Sequence, residues 1–274
     1  MISVIIVNHD GEAHLGRCLE SLGPPEPELE VLLVDNASQD GSVELAHRDF
    51  SHVRVLAQEH NLGFAAANNL GADSAEGEAL LLLNADAWLE KGALARLREA
   101  LDSDPRLGLV APRLRYPEGG HQFSWSPARG VLGEFLQRLR NPFEAWAWAH
   151  GRPARLVAQV AGRAWFTAAC VLVRAEAFRG VGGFDPRFFM YFEDVDLCLR
   201  LERAGWRLSQ APGAVVSHAG GLARSRVEED LYRPSQLLHY RLHRPRWEAR
   251  FIERRLRRRS GDANVDRWLG GGGE

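Results

Sequence analysis

Cysteine is scarce in this chain of 274 residues. Cys18, Cys170 and Cys198 lie far apart, are odd in number and form no CxxC pair. That pattern excludes a disulfide scaffold and a zinc knuckle, and it points to a reducing compartment. Lysine is scarcer still, with Lys91 alone against many arginines; together with abundant Ala, Leu and Gly this reads as GC-rich coding rather than chemistry. No apolar run approaches the ~18 residues that cross a bilayer. Residues 2–7 already read as a strand rather than a signal peptide, so a cytosolic location is predicted. No charge sign dominates: 34 basic and 36 acidic residues leave −2, which argues against a globally basic nucleic-acid binder. The usual phosphate loops are also missing. There is no GxxxxGK[ST], and His9-Asp10-Gly11-Glu12 stands where a GxGxxG would follow the first strand. Walker-type NTPases and NAD-binding dehydrogenases lose their main support, and the lack of a GxSxG elbow removes the usual esterase reading.

What is present is a βαβ rhythm over the first hundred residues. Apolar runs at 3–7, 31–34, 53–56, 79–83 and 107–110 predict buried strands. Between them, Leu15, Cys18, Leu19 and Leu22 recur at helical spacing, residues 64–72 read as a helix, and Leu94, Leu97 and Leu101 mark another. The fold class is α/β, with a mostly parallel sheet flanked by helices. Residues 116–160 break the rhythm and are rich in aromatics, among them Phe123, Trp125, Phe135, Trp146 and Trp148. They read either as a cleft-lining insertion or as a helix packing its aromatics on the sheet. The alternation then resumes with a strand at 169–173, a turn at 182–186, a helix opening at Glu193 and closed by Gly205, and a last strand at 214–217.

In such sheets ligands bind beyond the carboxyl ends of the strands, and the polar residues collect there. Asp35 can accept hydrogen bonds from a ribose or base, or can simply open an Asx turn. Asn84 and Asp86 place two oxygen donors at one buried strand tip, suited to a divalent cation, although a turn carboxylate is the ordinary alternative. Glu193, Asp194 and Asp196 crowd three carboxylates into one helix N-terminus, where the helix dipole favours anions and one could act as a general base. They could equally form a solvated acidic first turn, but the apolar 188–192 before them argues for burial. His218 is a possible metal ligand at a strand end, followed by Gly220-Gly221, although a lone His is more often structural.

Taken together, Val4 to Leu22, Val34-Asp35-Asn36-Ala37-Ser38-Gln39-Asp40-Gly41-Ser42, Asn61-Leu62-Gly63-Phe64-Ala65-Ala66-Ala67-Asn68-Asn69 and Leu82-Leu83-Asn84-Ala85-Asp86 resemble family 2 glycosyltransferases of the GT-A fold. Residues 182–201, with Phe-Met-Tyr-Phe-Glu-Asp-Val-Asp-Leu-Cys-Leu-Arg, look like the rhamnosyltransferase-like branch. The resemblance covers about residues 2–222. It implies an inverting transfer from a UDP- or dTDP-sugar to a saccharide or lipid-linked acceptor in surface polysaccharide synthesis. It places Val7, Asn8, Asp35, Asn61, Gly63, Asn68 and Asn84 at the nucleotide sugar. Asp86 and His218 would hold Mg²⁺ or Mn²⁺, and Asp194 would be the base with Glu193 beside it. Asn84 stands where the family's DxD-type motif has its first Asp. The chain divides on this reading into a GT-A domain at 1–222, with an acceptor-side insertion at 113–165, and a basic helical extension at 223–274 whose end, 269–274, is disordered.

Between Arg224 and Arg259 twelve arginines face five carboxylates. On a helix, Trp247, Phe251, Ile252 and Leu256 share a face. They could lie on an anionic membrane, which would make the protein peripheral to the inner membrane face, or pack on the domain and leave the arginines solvated. Rival functions are a glycoside hydrolase, which also needs two carboxylates, and a catalytically inactive nucleotide-sugar or carbohydrate-binding protein on the same fold.

Overall fold

The computed structural model describes residues 1–122, 124–127, 130, 164–220 and 226–270. Phe123, Phe135, Trp146, Trp148 and Gly221 lie outside them. Strands β1 (Ile2–Asn8), β2 (Leu29–Asp35), β3 (Arg54–Ala57) and β4 (Ala79–Asn84) alternate with helices α1 (Glu12–Glu20), α2 (Ser42–Asp49) and α3 (Phe64–Ser74). After β5 (Ala87–Leu89), α4 (Ala93–Asp102) and β6 (Leu107–Arg115) come three short strands, β7 (His121–Gln122), β8 (Trp125–Pro127) and β9 (Ala164–Phe166). The chain continues through β10 (Cys170–Arg174), α5 (Ala175–Gly180), α6 (Glu193–Arg203) and β11 (Arg207–His218). It ends in three helices, α7 (Arg226–His243), α8 (Arg246–Ser260) and α9 (Asp262–Gly270).

Nine strands form one sheet in the order β3-β2-β1-β4-β10-β6-β11-β5, with β7 paired to β6. The run β3-β2-β1-β4 is parallel, as the βαβ rhythm predicts. Beyond it β10 enters antiparallel between β4 and β6, and β5 and β7 are also antiparallel, so the sheet as a whole is mixed. Strands β8 and β9 pair separately.

The unbroken apolar strands are explained by burial on both faces. Ile5, Leu32, Val34, Leu80 and Leu82 face a core shared with Ala65, Phe178, Phe184 and Leu201, from α3, α5, the turn before α6 and α6 itself. Their neighbours Val4, Ile6, Leu33, Leu81 and Leu83 face a second core with Leu15, Leu19 and Leu97 from α1 and α4. Each fully buried Leu or Ile contributes roughly 1.5–3 kcal/mol. A third cluster, Leu237, Tyr240, Ile252, Leu256, Val265 and Trp268, joins the last three helices.

Some boundaries differ from the sequence reading. Strand β6 runs on through Pro112 to Arg115, so residues 113–115 belong to the sheet rather than to an insertion. Pro112 donates no ladder bond; it is accommodated where β11 shifts register between Gln210 and Val215, and Gln210 Nε2 donates to its carbonyl. Strand β11 starts seven residues before the expected 214. Trp125 is buried in the first core. At the C-terminus Leu269 and Gly270 are helical rather than disordered, with Leu269 packed against the third cluster.

Candidate active site

The carboxyl ends of β1 and β2 lie side by side, with Asn8 opposite Asp35. Both are buried, and Asn8 Nδ2 donates to Asp35 Oδ1 and to Ser38 Oγ, each at 3.0 Å. Asp35 also accepts from the Ser38 hydroxyl at 2.6 Å and the Ser38 N–H at 3.1 Å. Asn8 Oδ1 is buried without a hydrogen bond, and a Cβ at Gly11 would stand 2.2 Å from it. Glycine is thus required where the loop closes over this amide. Val7, one residue back, is half-buried between Val34 and Asn84 of the neighbouring strands.

The next loop is locked to this floor. Asn36 Nδ2 donates to Asn61 Oδ1 at 2.8 Å, and Asn36 Oδ1 accepts the Leu62 N–H at 2.8 Å. Asn61 Oδ1 also caps the Gly63 N–H. Gly63 has φ +80°, and a Cβ there would meet the Phe189 carbonyl and ring within 3 Å. The same carbonyl accepts the Phe64 N–H at 2.7 Å. The loop after β3 therefore abuts the segment that leads into α6. Asn68 takes a different place from the one the resemblance implies: it is buried within α3 and its amide donates back to the Phe64 carbonyl. Its neighbour Asn69 clamps the Phe184 backbone through two 2.8 Å bonds.

At the tip of β4 the turn brings Asp86 to His218, with Oδ1 3.2 Å from Nε2. Asn84 Nδ2 is 3.4 Å from the same nitrogen, and Asn84 Oδ1 is buried without a partner. Antiparallel pairing of β11 with β5 sets His218 opposite Ala87, and the Ala219 N–H donates to the Asp86 carbonyl. Ser217, just before, is held by Arg115 and Glu90. On the far side of the ring, His218 Nδ1 lies 3.1 Å from Gln122 Oε1, while Gln122 Nε2 donates to the Gly220 carbonyl. With its amide nitrogen so engaged, Gln122 offers His218 an acceptor, and Nδ1 carries the proton. Nε2 then faces Asp86. A Cβ on Gly220 would come within 2.6 Å of this ring and 3.3 Å of Asp86 Oδ2, so the cradle is closed by a residue without a side chain. Burial alone would raise the Asp86 pKa, but the hydrogen bond and charge of His218, a backbone N–H and His14 outweigh it and hold it below the usual range. These groups suit a divalent cation: an anionic oxygen, an imidazole oriented from behind, and a spare amide oxygen. Among the described residues no group of three or more His, Cys, Asp or Glu side chains is placed to hold a metal.

The three acids of α6 have separate fates. Glu193 is buried, its Oε2 has no hydrogen bond, and burial together with the charges of Asp194 and Asp196 raises its pKa well above the ordinary value. Asp196 is buried in an ion pair with Arg200 and accepts from His243 Nε2 at 2.7 Å. Only Asp194 is partly exposed, with Oδ1 accepting the Val195 N–H at 2.7 Å. The helix follows two consecutive left-handed residues, Tyr191 at φ +70° and Phe192 at φ +69°. Among the described residues the other non-glycine positions with such φ, Asp10 and Ala37, follow β1 and β2 at the site's other wall. Strain of this kind costs about 1–3 kcal/mol per residue and collects at functional sites.

Sequence reasoning missed Gln122 and Gly11 as site residues. Gln122 sits on a two-residue strand with no motif, and Gly11 matters only through the atoms that come close to it; Gly220 was noted beside His218, but not its approach to the ring.

Residues 3–179 match the family described as Glycosyl transferase family 2. The chain belongs to this family. It is 34% identical over 233 residues, 80% of this chain and 76% of the other, to the N-acetylglucosaminyl-diphospho-decaprenol L-rhamnosyltransferase of Mycobacterium tuberculosis (strain CDC 1551 / Oshkosh). It is 27% identical over 224 residues, 80% of this chain and 83% of the other, to the rhamnosyltransferase WbbL of Escherichia coli (strain K12). The fold matches that of the mannosyltransferase PcManGT from Pyrobaculum calidifontis, solved in complex with GDP-Man and Mn²⁺, with a TM-score of 0.62 at 17% identity over 98% of this chain and 73% of that one. It also matches GalNAc-T7, solved with UDP, GalNAc and Mn²⁺, with a TM-score of 0.64 at 18% identity over 96% of this chain and 51% of that one. The protein is thus a glycosyltransferase of the GT-A fold. None of its described helices is long and apolar enough to cross a membrane.

Proposed function

We propose that this glycosyltransferase moves a sugar, with inversion, from a UDP- or dTDP-sugar to a saccharide or lipid-linked acceptor in cell-surface polysaccharide synthesis. The observation that carries the reading is the Asp86–His218 pair, backed by Gln122 and closed by Gly220, at the same sheet end as the Asn8–Asp35–Ser38 cluster. Asp35 and Asn8 receive the base or ribose, and Asn61 with Gly63 forms the loop beside them. Asp86 and His218, with Asn84 alongside, hold Mg²⁺ or Mn²⁺, and the bound ion supplies positive charge against the departing diphosphate. With only two strong protein ligands, such an ion would need further oxygen ligands from outside the chain.

Of the two adjacent acids, Asp194 is the base. Glu193 is buried, and burial with the neighbouring acids raises its pKa, which disfavours the charged form a base needs, whereas Asp194 is partly exposed. Asp194 takes the acceptor hydroxyl proton as the oxygen attacks the anomeric carbon from the face opposite the leaving group, and a single displacement of this kind inverts that centre. The mycobacterial relative, named for a decaprenol-linked substrate, supports a lipid-linked acceptor and hence action at the inner face of the membrane.

Calorimetry of UDP and dTDP with and without Mn²⁺, on the parent and on Asp86→Ala, tests this together with nucleotide release from the donor. The expected result is metal-dependent binding that Asp86→Ala abolishes. Unchanged metal-dependent affinity in the variant overturns the assignment. Binding without any nucleotide release returns the protein to the nucleotide-sugar-binding reading.

A further inference from the structure

We propose that the outward face of α8 is a docking surface for an anionic lipid bilayer. The helix has two unlike sides. Ile252 and Leu256 are buried against Leu237, Tyr240, Val265 and Trp268, which fixes α8 to its neighbours without using its other side. On that other side Trp247 is 64% and Phe251 47% exposed, one helical turn apart. Arg250, Arg254 and Arg258 surround them at helical spacing, with Arg246, Arg255 and Arg259 at the margins, and all six are exposed.

The pairing of charges sharpens this division. Arg244 is bonded to Glu248, and Arg257 to Glu253, Asp262 and Asp266, so the acids of this region are engaged at the inner side and edges of the helix. The six outer arginines have no ion pair among the described residues. Two aromatics ringed by unpaired guanidiniums suit a headgroup boundary, where the rings enter the acyl edge and the cations meet anionic phosphates. A second copy would set the arginines of one face against those of the other. A single convex helix offers no groove in which to track a nucleic-acid strand.

The surface also has a connection to the site. Tyr240 and Leu237 of α7 hold α8, and the same α7 places Ser235 Oγ on the Met190 carbonyl at 2.8 Å, just before the acids of α6. The helix that anchors α8 is therefore also the one that supports the segment leading into α6. The inference extends the lipid-linked acceptor proposed above, but vesicle binding needs neither donor nor metal, so the two can fail separately.

The test is co-sedimentation of the full chain with vesicles of phosphatidylcholine alone, or with about one-third phosphatidylglycerol. Partition on the anionic vesicles only, weakened between about 0.05 and 0.5 M salt, is expected. Trp247→Ala/Phe251→Ala should lower it at least about tenfold, and Arg250→Glu/Arg254→Glu/Arg258→Glu about a hundredfold. Every substituted side chain is exposed, and unchanged thermal unfolding and UDP calorimetry confirm that the fold and donor site persist. Absence of vesicle binding, or equal partition of parent and variants, overturns the proposal. So does concentration-dependent dimerisation in sedimentation velocity that the aromatic variant abolishes, or binding of a single-stranded oligonucleotide that vesicles fail to displace.

Discussion

Three carboxylates within four residues look alike in the sequence, yet each occupies a different electrostatic environment. Glu193 has traded water for an apolar surround, so its folded pKa stands above its unfolded one. Such a group leaves stability intact below the unfolded value near ~4.3 and removes it as pH rises toward the folded value, because only the unfolded chain releases the proton. Glu193→Gln, isosteric and neutral, is therefore expected to be the more stable protein at pH 7 and equal to the parent near pH 4. The gain is about 1.4 kcal/mol for each pH unit over which the native side chain keeps its proton. Urea denaturation at both pH values measures it, and a variant less stable at pH 7 would mean that Glu193 is ionised and paired. Asp194→Asn should keep the donor affinity and lose about 10²–10⁴ in turnover; if Glu193→Gln does so instead, the two roles are exchanged. Gln122 makes a different kind of contribution, since it touches neither acid. By accepting from His218 Nδ1 it turns Nε2 toward Asp86. Gln122→Leu should weaken Mn²⁺ affinity about 10–100-fold, with less effect on metal-free nucleotide binding. Calorimetry with and without Mn²⁺ separates the two, and equal losses in both would reduce Gln122 to a packing residue.

At the scale of elements, the strands that carry long apolar runs were legible. Asn8, Asp35, Asn84 and Asp86 could be placed at strand ends because β1, β2 and β4 each end where their apolar run does. Strands β5, β7, β8 and β9, of two or three residues, were not, since a period of two cannot be read from so few positions. His218 was found as a residue, but its partner β5 and its support β7 were among these, so the geometry of the Asp86–His218 cradle was hidden. Asn68 shows the opposite limit: a motif position reads the same whether its amide faces a ligand or its own helix. The role of α7 was hidden as well, because its contacts are with residues about forty positions earlier. Tyr232 packs on Tyr191 and Phe192 with ring centroids 5.6 and 5.1 Å apart, Ser235 holds the Met190 carbonyl, and His243 closes on Asp196. This helix thus secures the two left-handed residues that aim α6. Removing the bond from His243 leaves the buried Asp196 with Arg200 alone, at a cost of about 1–3 kcal/mol. His243→Ala should accordingly lower kcat about tenfold through a displaced Asp194 while leaving the KM for donor unchanged. A rise in donor KM with kcat intact would place the influence of α7 at the nucleotide pocket instead.

On the scale of the whole molecule, one sheet separates two cores, and the three cysteines sample both. Cys18 and Cys170 lie in the core with α1 and α4, and Cys198 in the one with α3 and α6. All three thiols are free and buried, and burial raises each pKa, so neither exposure nor thiolate character makes them reactive in the native state. Strands β1 and β4 contribute alternate side chains to both cores, so neither face can open without disrupting the other's strands. The sheet domain should therefore unfold as one cooperative unit, with the third cluster of α7 to α9, which contains no cysteine, able to loosen ahead of it. Labelling with a thiol reagent under native conditions is expected to be at least about a thousandfold slower than in the unfolded chain. The opening free energies at Cys18, Cys170 and Cys198 should fall with the same slope in urea, measured by mass spectrometry of the labelled peptides. If Cys198 is labelled with a shallower slope than the other two, the face bearing α6 opens by itself, and the acids at the head of that helix belong to a unit less stable than the strands that carry Asp35 and Asp86.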